Sequence, residues 1–326
     1  MKVVPYIEGN HSTFEEEWNI HENCSEWWYS TGYFNDVQER LYSFQFTLLR
    51  VNAPAQNPHI IMLALTDFTT GKHHYFQDFV PTGEGVVINE STVGFGEIAS
   101  FVKQKEGMRF TAKTEDYSLD LMLDYGKGAF WHCDNGYLKM GIDEPKQTTY
   151  YYSYTNMPTS GSLTLNGEQL AVTGKSWFDK QGGTYNISDP RCNWEWFSLR
   201  FFDDEEIMLF TFPQNEYIDG TYISKDGISS RLNEYTITAT NFIHPDGTTK
   251  YSNEWKLTLP GLKEQNYSIK PLLEGGQMNM GYFELLAGIY NEQNEKVGLC
   301  FVELLPGARN IGAEGGSQSL LFSKSK

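Results

Sequence analysis

The chain has 326 residues, more than one hydrophobic core usually fills, so two domains are expected. Hydrophobic residues make up 40% and charged residues 21%, which argues against a disordered chain. A net charge of -17 argues against nucleic acid and anionic membrane surfaces as partners, because both recruit basic faces.

At the N-terminus, "MKVVPYIEGNHS" lacks an apolar core of signal-peptide length, and no run approaches the ~18 apolar residues of a spanning helix. A cytoplasmic location without stable membrane insertion is expected. Next, "STFEEEWNIH" offers Ser12 or Thr13 as a cap with acids in the first turn, which predicts one or two turns of helix. Helix signals are scarce elsewhere.

"NCSEWWYSTGYF" then predicts a strand whose adjacent Trp27 and Trp28 point to opposite faces, just after Glu26. The runs "LYSFQFTLL" and "YSLDLMLD" alternate with a period of two. The first groups Tyr42, Phe44, Phe46 and Leu48, and the second groups Tyr117, Leu119, Leu121 and Leu123. "RLNEYTITAT" and "EWKLTLPG" have the same habit. Turns are predicted at Asn166-Gly167, Asp226-Gly227 and Asp246-Gly247, each between strand-like runs. Many short strands joined by such turns predict an all-β, antiparallel protein built of barrels or sandwiches. The loop "QGGTYNISDPRCN" is the better boundary, dividing the chain into domains 1–188 and 189–326. No clean internal repeat is visible.

Cys24, Cys133, Cys192 and Cys300 form no CxxC pair and read as reduced thiols. Phosphate-loop, HExxH and GxSxG motifs are missing. His73 and His74 diverge on a strand, and in "WHCD" only His132 and Asp134 share a face, so no metal site is expected. Nothing calls for a cofactor.

The aromatic-rich stretch is residues 148–202. Tyr150, Tyr152 and Tyr154 share one strand face, Trp177 and Asp179 another, and Trp194 and Trp196 a third, with Glu195 opposite them. Such faces line either a core or an apolar pocket. Asp179 is open to two readings. Exposed, it caps a turn and is ionised. Buried among aromatics, it is costly as an anion and serves as a neutral proton donor, with a tyrosine hydroxyl to hold or relay the proton.

The segments "EWWYSTG", "LALTDFTTG", "YYSYTNMPTSGSLTLNGEQLAVTGKSWFDKQGG", "NWEWFSLRFFDDEEIMLF" and "GYFELLAGIYNEQNEKVGLCFVELLPG" resemble the lipocalin-like family of carotenoid 1,2-hydratases and their relatives. The resemblance implies two lipocalin-like antiparallel β-barrel domains packed together, with an apolar cavity at or between them. It implies an enzyme acting on an apolar, polyene-like or isoprenoid small molecule by acid-assisted hydration, isomerisation or cyclisation. Asp179 falls at the acid of that family, with Trp177 where the hydratases have tyrosine, Tyr152 where they have tryptophan and Tyr150 where they have histidine. Lys180, Gln181 and Gly182 depart from the usual continuation. Asp179, Tyr152 and Tyr150 are therefore the expected catalytic residues. Trp177, Trp27, Trp28, Glu26, Trp194 and Trp196 are the expected substrate-binding ones, with one tryptophan of the Trp27–Trp28 pair at a cavity and Glu26 bonded across a domain seam. The alternatives are a pericyclic, Diels–Alder-type cyclase that works by shaping its substrate, and a carrier of lipophilic ligands.

Overall fold

The computed structural model describes residues 2–9, 11, 13–53, 56–186, 189–245, 247–279 and 282–305. Among them are one short α-helix, one 3-10 turn and otherwise β-strands. The all-β expectation holds, in two curled antiparallel sheets of lipocalin-like type. The helix Phe14–Glu17 starts at Thr13, whose hydroxyl accepts the Glu16 N–H at 3.2 Å. Asn166 and Gly167 both take positive φ, 52° and 80°, as a two-residue hairpin turn requires. Asp246 lies outside the described residues.

The chain divides into two compact units, Met1–Trp131 with Thr148–Tyr185, and His132–Gln147 with Asn186–Lys326. Residues 187 and 188, where the sequence set its boundary, lie outside the described residues. The stretch 132–147, read from sequence as part of the first domain, belongs to the second unit. Its bonds there explain this: the Cys133 N–H donates to Thr221 Oγ1 at 2.9 Å, and Arg191 pairs with Glu144 at 2.8 Å.

In the first unit the strands follow chain order around a ring. The first long strand, Ser25–Asp36, pairs with the last, Glu168–Gly183, so the two ends of the unit's chain meet in the middle of the sheet. The pairing path ends at Lys72–Val80 on one side and Val86–Ile88 on the other. This is the order of an up-and-down barrel. The second unit, a 10-stranded sheet, repeats the plan: Glu195–Phe201 pairs with Lys296–Leu304, and the path ends at Ser229–Arg231 and Thr236–Ile243. The repeat that sequence comparison misses is thus present in the connectivity.

Alternation sends one side of each strand into a packed core. The first core holds Trp28, Phe34, Phe44, Phe46, Phe101, Phe110 and Phe178, and the second Phe197, Leu199, Trp255, Leu257 and Phe283. The strand Tyr117–Asp124 buries Tyr117, Leu119, Leu121 and Leu123 and turns Asp120 and Asp124 outward, as its alternation predicts. The strand Leu41–Arg50 is buried on both faces from Tyr42 onward, which answers its continuous run of bulky residues.

Candidate functional site

The site residues gather on three neighbouring strands of the first unit, with Glu168–Gly183 in the middle. Cross-strand partners share a face. Asp179 stands opposite Tyr29 on one side and Ser153 on the other. Lys180 stands opposite Trp28 and Tyr152, and Gly182 opposite Glu26 and Tyr150. Parity then separates the expected catalytic set. Tyr150 and Tyr152 point to the core side, together with Trp28, Lys180 and Glu26. Asp179 points to the other side, with Trp177, Trp27, Tyr29, Tyr151 and Ser153.

The cause of this correction is a register shift. From the Asn166-Gly167 turn, Leu165 pairs with Glu168 and the ladder runs to Met157 opposite Ser176. Continued unbroken, it would set Asp179 opposite Tyr154, on the tyrosine face. A shift between Tyr154 and Met157 sets Asp179 opposite Ser153 instead. One residue of offset exchanges faces for everything beyond it.

Asp179 is 2% exposed, so of its two sequence readings the exposed turn cap is set aside. Its Oδ1 accepts the Trp177 indole N–H at 2.5 Å and the Ser153 hydroxyl proton. The central strand is pinned there from its other neighbour, since Ser30 Oγ donates to the Trp177 carbonyl at 2.7 Å.

On the core side lies a buried ionic network that sequence reasoning missed. Lys180 Nζ is 2.7 Å from Glu26 Oε2 and 2.5 Å from the Tyr150 hydroxyl, and sits 3.9 Å above the Trp28 ring. Glu26 also accepts the Tyr150 O–H at 2.8 Å and the His21 backbone N–H at 2.9 Å. His21 bridges onward, its Nδ1 3.3 Å from Glu26 and its Nε2 3.1 Å from Glu17. Gly182 leaves the room required: a Cβ there would stand 2.2 Å from Glu26 Cβ.

The charges are mutually supporting. Burial would raise the Glu26 carboxyl, but the Lys180 ammonium and His21 outweigh it and hold the group down at about 2. Burial likewise opposes ionisation of Glu17, and hydrogen bonds to His11 and His21 bring it to about 2. His21 is raised: burial pulls it down, and its bonds to Glu17 and Glu26 win. Burial lowers Lys180 against the pull of Glu26. Burial, then the Glu26 charge, pushes Tyr150 well above its ordinary value. Glu26 is therefore tied within the first unit, and Trp28 is core. Trp27 is half-buried on the opposite face, with its ring 5.9 Å from that of Tyr185. The sequence singled out Glu26 and Tyr150 but did not join them to Lys180 or His21.

In the second unit, Trp194 and Trp196 share a face with Glu195 opposite, as alternation predicts. Trp194 Nε1 donates to Glu303 Oε1 at 2.9 Å. Glu195 turns to the core side and accepts the Ser252 hydroxyl at 2.6 Å and the Trp255 indole N–H at 3.1 Å. It holds the place in the second ring that Glu26 holds in the first. Among the described residues no group of three or more His, Cys, Asp and Glu side chains is placed to hold a metal ion. No helix among them is long and apolar enough to cross a membrane.

The profile of the AttH-like family matches residues 5–307. The chain belongs to the AttH-like family. No curated protein matches the sequence. Among solved structures, an AttH-type protein of Nitrosomonas europaea is similar at 20% identity and TM-score 0.82, over 92% of this chain and 98% of that one. Kievitone hydratase of Nectria haematococca is similar at 18% identity and TM-score 0.69, over 86% of this chain and 88% of that one. At these identities the likeness establishes the fold, which is the one the sequence resemblance implied.

Proposed function

We propose that this protein is a hydratase-type enzyme that adds water to an isolated double bond of an apolar, isoprenoid-like small molecule, with Asp179 as general acid. The observation that carries the reading is the Asp179 carboxyl itself, 2% exposed on the sheet face that is turned away from the first core. The hydratase name of one structural relative and the family resemblance of the sequence support the reaction class.

In this reading the Asp179 proton goes to the less substituted alkene carbon, and the π electrons form the new C–H bond. The tertiary cation left behind is captured by a water oxygen. The water's surplus proton returns to the Asp179 carboxylate, so the enzyme is restored and one water is consumed. Tyr29 and Tyr151 replace Tyr150 and Tyr152 as the nearby phenols, because they share the face of Asp179. Proton transfer of this kind contributes on the order of 10²–10⁴-fold, and the remainder comes from holding substrate and water in place.

The test is to extract the small molecules that copurify with the protein and return them to wild type and Asp179→Asn in heavy water. The expected result is a product heavier by one water, carrying solvent deuterium on carbon, with the variant slower by about 10²-fold or more. A product of unchanged mass formed equally fast by both proteins would point instead to a shape-directed cyclase. An unaltered ligand would point to a carrier.

A further inference from the structure

His21 stands, fully buried, between two carboxylates. Its Nδ1 is 3.3 Å from Glu26 and its Nε2 is 3.1 Å from Glu17. A neutral imidazole has one N–H and one lone pair, so it can serve only one of them. The other carboxylate would face the lone pair. The arrangement therefore belongs to the imidazolium, which carries a proton on each nitrogen.

The two carboxylates are not equally provided for. Besides His21, Glu26 has Lys180 at 2.7 Å, the Tyr150 hydroxyl at 2.8 Å and Arg50 at 3.6 Å. Among the described residues, Glu17 has only His21 and, at 3.8 Å, His11. Glu17 is buried and ends the helix Phe14–Glu17, whose four residues are too few to be stable alone. The rest of that helix is held lightly. Phe14 rests on the rings of Trp131 and Tyr152, with centroids 4.5 and 5.0 Å apart, and its carbonyl accepts the Tyr152 O–H at 3.3 Å. Upstream, Val3–Val4 adds a two-residue parallel pair to Ile20–His21, while Val3 and Ile7 are exposed. Downstream, Trp18 is a fixed pivot. It is fully buried, stacks on Phe178 and donates its indole N–H to the Asn89 carbonyl at 2.8 Å.

We propose that the helix Phe14–Glu17 and the described residues before it form a flap over Tyr150 and Tyr152, latched by the His21 imidazolium and released when that imidazole gives up its proton. The proposal is independent of the reaction above, because Asp179 lies on the other face of the sheet. Glu17 from the helix and Glu26 from the strand Ser25–Asp36 favour the charged latch, and Lys180 from the strand Glu168–Gly183 opposes it. Tyr150 and Tyr6 face the same ring, at centroid distances of 4.4 and 6.3 Å, and burial keeps Tyr150 neutral. His11 lies across Glu17. The carboxylates prevail, and His21 is raised above its ordinary 6.5. The latch is therefore fully closed below 6.5 and opens as pH rises through the raised value. Glu26 then keeps Lys180, whereas Glu17 becomes a buried anion without the His21 charge. Swinging out about Trp18 returns Glu17 to water and uncovers the two phenols.

Amide exchange of the intact protein over a pH series, corrected for the intrinsic rate, reads the flap at the Glu17 and Trp18 N–H groups, which bond to the Thr13 and Phe14 carbonyls. An NMR titration of the His21 ring reads the latch. In wild type, protection of these two amides should fall by about tenfold or more with the midpoint of the ring, while the strand Tyr117–Asp124 keeps its protection. His21→Gln should leave the flap weakly protected at every pH. Glu17→Gln is nearly isosteric and removes the anion that would be stranded, so its flap protection should no longer change with pH. Protection that does not follow the His21 ring overturns the proposal, as does a pH response that survives in Glu17→Gln. A loss shared equally by Tyr117–Asp124 overturns it too, because the unit then opens as a whole. A ring found neutral below 6.5 would show that there is no charged latch.

Discussion

Glu26 and Lys180 are both fully buried, with the ammonium 2.7 Å from the carboxylate. In Glu26→Gln the side-chain volume is nearly unchanged and the charge is lost. Lys180 then keeps the Tyr150 hydroxyl and the Trp28 ring, but its counter-charge is gone. Removing one partner of a buried pair typically costs about 3–5 kcal/mol, because the remaining charge is stranded away from water. Against the ~5–15 kcal/mol that stabilises a whole domain, that is a large fraction. Lys180→Met alone should cost less, since His21 and the Arg50 guanidinium, 3.6 Å from Glu26, still face the carboxylate. The double variant should recover part of the loss, with a coupling above ~1 kcal/mol. Amide hydrogen exchange in the strands Ser25–Asp36 and Glu168–Gly183 is the proper assay, because two units need not unfold together. Protection of the second-unit strand Lys296–Leu304 serves as the internal control. If the two single effects simply add, to within ~0.5 kcal/mol, the pair is uncoupled and the ionic account of this network is wrong.

Stability of the first unit should also depend on pH from both sides. Glu17 and Glu26 are held at about 2, below their ordinary value of 4.5, so their contribution is present above that value and fades as pH falls towards about 2. His59, brought down to about 4 by burial and then by Arg50, adds a loss that begins as pH falls below 6.5. His21 has the opposite sign: its raised value stabilises the fold fully below 6.5 and that contribution is lost as pH rises through the raised value. Urea midpoints measured from acid to mildly alkaline pH should trace a maximum, and a flat profile would contradict the assignments. Gly182→Ala should destabilise the first unit by about 1–3 kcal/mol, because the new methyl group meets Glu26 Cβ at 2.2 Å in a packed site. A urea midpoint unchanged from wild type would show that the strands separate easily there.

The sequence by itself determined the β-architecture. Alternation in "YSLDLMLD", the Asn166-Gly167 turn and a helix cap at Ser12 or Thr13 are local properties, fixed by side-chain period, positive φ and a single hydroxyl; the first two are found where the residues place them, and the cap is Thr13. The lipocalin-like fold was legible as well, through motifs spread along the chain. The pairing of first strand with last in each ring was not, since it joins residues far apart in sequence. Nor was the face of Asp179. Spacing alone puts Asp179 on the side of Tyr150 and Tyr152, and the register shift between Tyr154 and Met157 turns it to Ser153 instead. A strand's side-chain period is two, so a single irregular residue reverses every orientation after it, and only the assembled sheet decides where that residue falls.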